Sequence, residues 1–309
     1  MELDYFIVDV FTTAALAGNP LAVVMNTTGL STARMQAIAR EFNLSETTFV
    51  ERSALEAERS EGVRVRIFTT QEELNFAGHP TLGTASVLRL AAPEAADGDT
   101  IRLKLNVGAI PVRFSGEGSS GGPNGEMTQP DPEFGAELDP ADVARLCGLA
   151  VDDLDAALVP QVVSTGTAFA IVPLRSVEAL GRLRVNHDQA APWLRERGAR
   201  WFYVVAPQPD QNRSPAQQYR ARMQFYGGED PATGSAAGCA ISYLVARGAV
   251  ASGAAVALRQ GVEMGRPSDI HLSARRLECG VESGVDARVT DVRVGGSTVL
   301  VAKGRLFLP

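Results

Sequence analysis

The sequence predicts an α/β protein of two similar domains that arose by internal duplication. Two helix starts carry that reading. Phe76-Ala77-Gly78-His79-Pro80-Thr81-Leu82-Gly83 and Asp230-Pro231-Ala232-Thr233-Gly234-Ser235-Ala236 each set small residues and one polar side chain before a small, apolar helical run. The stretches upstream repeat as well. Gly18-Asn19-Pro20-Leu21-Ala22-Val23-Val24 and Gly166-Thr167-Ala168-Phe169-Ala170-Ile171-Val172 are both glycine turns feeding an apolar strand, and residues 63–68 echo residues 219–225. Strand, strand, helix start is the order in both halves.

With 309 residues the chain has room for two domains, each with its own core. A hydrophobic fraction of 45% and a charged fraction of 21% are those of a soluble globular protein. The net charge of −7 argues against nucleic acid or an acidic membrane surface as the main partner. It still permits a small anion, because a helix terminus can outweigh a diffuse negative field. Residues 1–11 are acidic at the start and pass directly into a strand, with no basic leader, and no apolar run reaches a membrane-spanning length. Cys147, Cys239 and Cys279 lie far apart and imply neither a disulfide framework nor a zinc pattern. These features point to a cytoplasmic enzyme.

The elements follow in order. After the first strand, the Gly18-Asn19-Pro20 turn leads to a buried strand at 21–25. Ser31 caps a helix whose apolar positions Met35, Ile38, Ala39 and Phe42 share one face, with Leu30 and Met35 spaced as a hydrophobic staple. Asn43 ends that helix, and the β-branched run at 44–50 reads as a strand with Glu46 at its entrance. Residues 63–68 form the next strand and 69–75 connect it to the helix at His79, where Pro80 suits the first turn. Residues 100–105 and 108–114 read as a hairpin, and the Gly/Ser-rich stretch 115–125 as a flexible loop. The chain crosses into the second half over 127–132. Asp139 and Pro140 then start a helix carrying Val143, Leu146 and Cys147. Strands are expected at 168–172, 201–205 and 220–225, with a polar loop at 207–216. Beyond the helix at Ser235 come strands at 254–260, 270–272, 287–294 and 298–308.

Asn43-Leu44-Ser45-Glu46-Thr47, Ala77-Gly78-His79-Pro80-Thr81 and Asp230-Pro231-Ala232-Thr233-Gly234-Ser235-Ala236 together resemble the phenazine biosynthesis PhzF-like family. The Gly-Asn-Pro turn and the closing strand resemble it too, so the likeness runs over essentially the whole chain. Thr70 and Asn75 stand where prolines are common in the family, and 115–125 resembles an insertion. The resemblance implies a diaminopimelate-epimerase-like α+β fold. In it, two similar domains each wrap a curved, mostly antiparallel sheet around a central helix, with the active site in the cleft between them. It implies domains of 1–128 plus 297–309, and of 129–296. Glu46 is implied as the acid/base, with His79, Asp230 and Ser235 around the substrate. Gly78, Thr233 and Gly234 are expected to complete the substrate seat.

Each residue also has a plainer role open to it. Glu46 could be a solvated edge residue, His79 or Ser235 a helix cap, and Asp230 half of an Asp-Pro turn. No cysteine lies in either helix-start stretch, which argues against a racemase using two thiols. The proton carriers left are Glu46, Asp230 and His79. One carboxylate can remove a proton from one carbon and return it to another, a shift that calls for no metal and no redox cofactor. The expectation is a cofactor-independent isomerase acting on a small carboxylate, as a homodimer, without nucleic acid or membrane. An epimerase or racemase of an amino or hydroxy acid, and a non-catalytic metabolite-binding protein, are the alternatives.

Overall fold

The structure, a computed structural model, describes residues 1–117, 122–209, 216–225, 228–278 and 287–308. Packing groups the chain into two compact units, Met1–Thr128 with Gly295–Pro309, and Gln129–Val294.

The first unit contains β1 (Glu2–Val10), β2 (Asn19–Val24), α1 (Thr32–Phe42), β3 (Glu46–Glu51), α2 (Leu55–Glu61) and β4 (Val63–Phe68). Then come β5 (Glu73–Leu74), α3 (Gly78–Ala91), β6 (Thr100–Leu105), β7 (Gly108–Glu117) and β8 (Pro123–Gln129). Hydrogen-bonded neighbours run β1, β2, β3, β4, β6, β7, β8 and then the final strand, which returns to β1 with Glu2 opposite Phe307 and Val10 opposite Thr298. Of these pairs β2–β3 and β4–β6 are parallel, while β1–β2, β3–β4, β6–β7, β7–β8 and β1 with the final strand are antiparallel. The sheet therefore closes on itself around α3, every residue of which from Gly78 to Leu88 is buried. The helix sequence allows this because Gly83 brings its backbone against β1 and β2. A Cβ there would stand 2.7 Å from both Leu21 Cδ2 and Val10 Cγ2. On the outer face, α1 lays Met35, Ile38 and Ala39 over Leu3, Val24, Phe49 and Phe68.

The second unit contains β9 (Glu133–Glu137), α4 (Pro140–Cys147), β10 (Gln161–Ser164), β11 (Ala168–Pro173), α5 (Val177–Gly181), α6 (His187–Glu196) and β12 (Trp201–Pro207). It continues with β13 (Gln217–Arg222), β14 (Gln224–Phe225), β15 (Gly228–Glu229), α7 (Gly234–Ala246), β16 (Val256–Gln260) and β17 (Ser268–Glu278). The final strand β18 (Ala287–Phe307) begins here and ends in the first unit. The sheet order is β9, β10, β11, β12, β13, β16, β17, with β11–β12 and β13–β16 parallel. Helix α7 is apolar or small all round and is buried from Gly234 to Val245, as such a composition requires. It packs on β10, β11, β12 and β17. Helices α4, α5 and α6 share a separate apolar layer with the sheet, through Val143, Leu146, Leu180, Leu194 and Phe202.

Several local expectations are corrected. Residues 287–294 and 298–308 are parts of one strand, because Gly295 lets it pass the backbone of Gly125, whose carbonyl would be 2.8 Å from a Cβ. The connection at 69–75 contains β5. Residues 115–117 and 123–125 belong to β7 and β8, while 118–121 lie outside the described residues, as do 210–215 of the polar loop and Cys279. Residues 220–225 do not form one strand, since β13 ends at Arg222 and Gln224–Phe225 pair with Gly228–Glu229 instead. Helices α2, α5 and α6 and strands β9 and β10 were not expected. Ser31 and Asp139 do cap their helices, and Asn43 takes the left-handed conformation, φ 50°, that stops α1.

Candidate active site

Glu46 opens β3 three residues after the left-handed Asn43, and its register partner on β2 is Leu21. Asn19 opens β2, held in place by Gly18. That glycine has φ +68° and sits so close to Val10 that a Cβ would lie 2.4 Å from the Val10 carbonyl oxygen. His79 is the second residue of α3 and is 4% exposed. Two strand starts and one helix start thus bring three polar side chains together.

Asn19 Nδ2 donates to His79 Nδ1 at 3.2 Å. With Nδ1 accepting, the proton of a neutral imidazole lies on Nε2. That nitrogen is 3.4 Å from Glu46 Oε2, a contact longer than a formed hydrogen bond. Burial pulls the imidazole down to about 3, so His79 is neutral at physiological pH and the contact is not an ion pair. Glu46 is 17% exposed at its side chain, so it is not the solvated edge residue that its position also allowed.

In the second unit the Asp-Pro turn is fixed by hydrogen bonds. The Thr233 hydroxyl donates to Asp230 Oδ2 at 2.7 Å. Gln260, the last residue of β16 and fully buried, donates from Nε2 to the Asp230 carbonyl at 2.7 Å and to Thr233 Oγ1 at 3.0 Å. Its Oε1 accepts from Thr233 N at 3.1 Å and from the Tyr203 hydroxyl at 2.9 Å. Burial first, and the Asp230 charge second, push the Tyr203 phenol well above its ordinary value, which keeps it a donor. At the first residue of α7, Gln129 donates to the Gly234 carbonyl at 3.0 Å and accepts from Thr165 at 2.7 Å. Gly238 leaves room for this amide, since a Cβ there would stand 2.0 Å from Gln129 Oε1 and Gln129 would have to shift.

The two central helices begin buried and, among the described residues, without a side-chain cap, a combination that α2 does not share, since its uncapped start behind Ala54 is exposed. Helices α1, α4, α5 and α6 have side-chain caps from Ser31, Asp139, Ser176 and Asn186. Among the described residues, neither Ala77 before α3 nor Thr233 before α7 makes a side-chain cap bond. His79 and Ser235 are therefore first-turn residues and not caps. A buried helix start without a cap presents N–H groups and the positive dipole end to whatever lies there. That arrangement suits a carboxylate.

The phenazine biosynthesis-like protein family, PhzC–PhzF, matches residues 8–304. The chain belongs to this family. It is 36% identical over 313 residues to an uncharacterized isomerase of Mesorhizobium japonicum, covering 99% of each chain. It is 34% identical over 315 residues to the trans-2,3-dihydro-3-hydroxyanthranilate isomerase of Pseudomonas aeruginosa, covering 98% of this chain and 99% of that one. The crystal structure of the Bacillus anthracis PhzF-family protein superposes with a TM-score of 0.82 at 24% identity, covering 100% of both chains, which speaks for the fold. The protein is a PhzF-family isomerase of the α+β class that the sequence predicts. Among the described residues no helix is long and apolar enough to cross a membrane.

In this PhzF-family isomerase Glu46 and His79 meet directly. Asp230 and Thr233 meet in the other unit, and Gly78, Gly234 and Ser235 lie in the first turns of α3 and α7. Asn19, Gln260, Tyr203 and Gln129 were not anticipated. Asn19 lies in the Gly-Asn-Pro turn, a local motif, whereas its partner His79 is sixty residues away. The other three act through tertiary contacts that no local pattern announces.

Proposed function

We propose that this PhzF-family isomerase shifts a proton within a small carboxylate-bearing metabolite, with Glu46 as the proton carrier. The Glu46 carboxylate takes a proton from a saturated carbon. The electron pair moves through the adjacent double bond, and the same carboxyl returns the proton to the far carbon, so the atom count is unchanged. The observation that carries this reading is the neutral His79 beside Glu46, an N–H donor that cannot compete as a cation or discharge the carboxylate. Asp230 assists and Ser235, Gly78, Thr233 and Gly234 contact the substrate, roles supported by the motif resemblance. The uncapped helix starts support a carboxylate as the recognised group.

The Pseudomonas aeruginosa relative is named for a dihydro-hydroxyanthranilate, so a cyclic dihydro-hydroxy acid is the first substrate class to test. Incubation of such acids with the enzyme in D2O, followed by proton NMR, should show deuterium entering the substrate. Glu46→Gln should fold and slow that exchange by at least ~10²-fold, the low end for general acid–base catalysis. Exchange at the wild-type rate in Glu46→Gln would assign the proton to another group. The proposal extends to a cytoplasmic homodimer, which cell fractionation and sedimentation test.

A further inference from the structure

The geometry points to Gln260 and the Thr233 hydroxyl as positioning residues. They hold the Asp230 carboxylate in place and keep the first turn of α7 open. This rests on the proposed proton shift and extends it to residues that touch Asp230 without carrying the proton themselves.

Thr233 is the N-cap residue of α7 and is of a type that ordinarily caps, its oxygen accepting from a first-turn N–H. Here that oxygen accepts from Gln260 Nε2 at 3.0 Å and its hydrogen goes to Asp230 Oδ2 at 2.7 Å. Gln260 thus diverts the hydroxyl from the helix to the carboxylate. Its amide is used at both ends: Nε2 reaches the Asp230 carbonyl and Thr233 Oγ1, and Oε1 receives Thr233 N and the Tyr203 hydroxyl. Buried amides so fully engaged have one orientation available to them. The next residue continues the same docking. Gly261 has φ +75°, and a Cβ on it would lie 2.6 Å from the Pro231 carbonyl oxygen and 2.3 Å from that of Arg266. The end of β16 is therefore shaped to seat the Asp230-Pro231 turn by close backbone approach and by hydrogen bonding together.

Thr233→Val keeps the shape and removes the hydroxyl, Thr233→Ser restores it, and Gln260→Met removes the amide at similar length. The wild-type enzyme is assayed first for substrate exchange in D2O, so a failure of the proton-shift reading appears there before any variant is judged. Rates are then taken per folded molecule, with unfolding curves to count it. A displaced carboxylate should lower kcat about 10- to 100-fold in Thr233→Val and in Gln260→Met. KM should change little in Gln260→Met, because Gln260 is given no contact with the substrate. Thr233→Ser should return most of the rate, and the double variant should be no slower than the slower single, since the two residues act as a unit. A residue serving stability alone would lower the melting point and leave kcat per folded molecule intact. That outcome, or losses that multiply in the double variant, would overturn the assignment.

Discussion

Arg222 grips Glu229 by two hydrogen bonds, Nε to Oε1 at 2.9 Å and Nη2 to Oε2 at 2.6 Å. In the other unit Arg66 grips Glu73 the same way, at 2.9 and 2.6 Å. The glutamate follows its arginine by seven residues in both, and stands five residues before Gly78 or Gly234, the first residue of the central helix. Forked pairs of this kind fix geometry as well as charge. Their common spacing supports the reading of an internal duplication.

The two pairs should not matter equally for stability. Arg222 and Glu229 side chains are 5% and 12% exposed, against 16% and 23% for Arg66 and Glu73. Glu229→Ala leaves a buried guanidinium with the more distant Glu263, 4.0 Å from its Nε, as the remaining carboxylate, and should cost about 3 kcal/mol, the low end for a broken buried pair. Glu73→Ala, where water can reach the orphaned charge, should cost nearer to about 1–2 kcal/mol. Denaturant unfolding of the two variants compares them directly, and the reverse order would contradict the burial argument.

Stability should also carry the mark of His79 between pH 5 and 6.5. The imidazole falls from its ordinary 6.5 to about 3 on folding. Between those values the unfolded chain binds one more proton, so the contribution of neutral His79 is full above 6.5 and declines as pH falls. The loss from pH 6.5 to 5 should be roughly 1.5 kcal/mol, and His79→Asn should flatten that part of the curve. A wild-type profile and a His79→Asn profile that run parallel would show that His79 protonates in the folded state.

The thiols give a third expectation. Burial pushes Cys239 up to about 11 and Cys147 up to about 12. At pH 8 neither should react with iodoacetamide while the chain is folded, as mass mapping of the labelled protein can show. Cys239→Ala should retain exchange activity to within ~3-fold, because a buried thiol that stays protonated and donates to the Thr167 carbonyl cannot serve as a base. Loss of exchange would reopen the thiol-dependent epimerase reading.

Anion binding at the start of α7 should be measurable on its own. Calorimetric titration with citrate or sulfate should show a site weakened by Ser235→Ala by about 0.5–1.5 kcal/mol, the loss of one hydrogen bond. Unchanged affinity would place the seat elsewhere.

The parts of the fold written in local chemistry were legible. Ser31, the Met35–Ile38–Ala39 face and Asn43 define α1 at both ends, and Asp139-Pro140 does the same for α4. Helix α6 escaped because Pro192 lies inside it and reads as a breaker. Strand β9 is exposed along its whole length and so has no apolar alternation to reveal it. The candidate site divides the same way. Glu46, His79, Asp230 and Ser235 sit in motifs, whereas Gln260 earns its place by reaching Asp230 across thirty residues of chain. The Arg–Glu spacing is present in the sequence, running from within the matching segments 63–68 and 219–225 to just beyond them.

Strand β18 has a consequence for synthesis. Residues 2–10 of the first unit take their partner from residues 298–307, and the Met1 ammonium bonds to the Leu308 carbonyl at 2.6 Å. The ring around α3 therefore cannot close until after the whole of the second unit, Gln129–Val294, has been translated. At ordinary elongation speeds that is a wait of roughly ten to thirty seconds. During it the nascent first unit carries β1 with a bare edge, open to a chaperone or to a neighbouring chain on the same messenger.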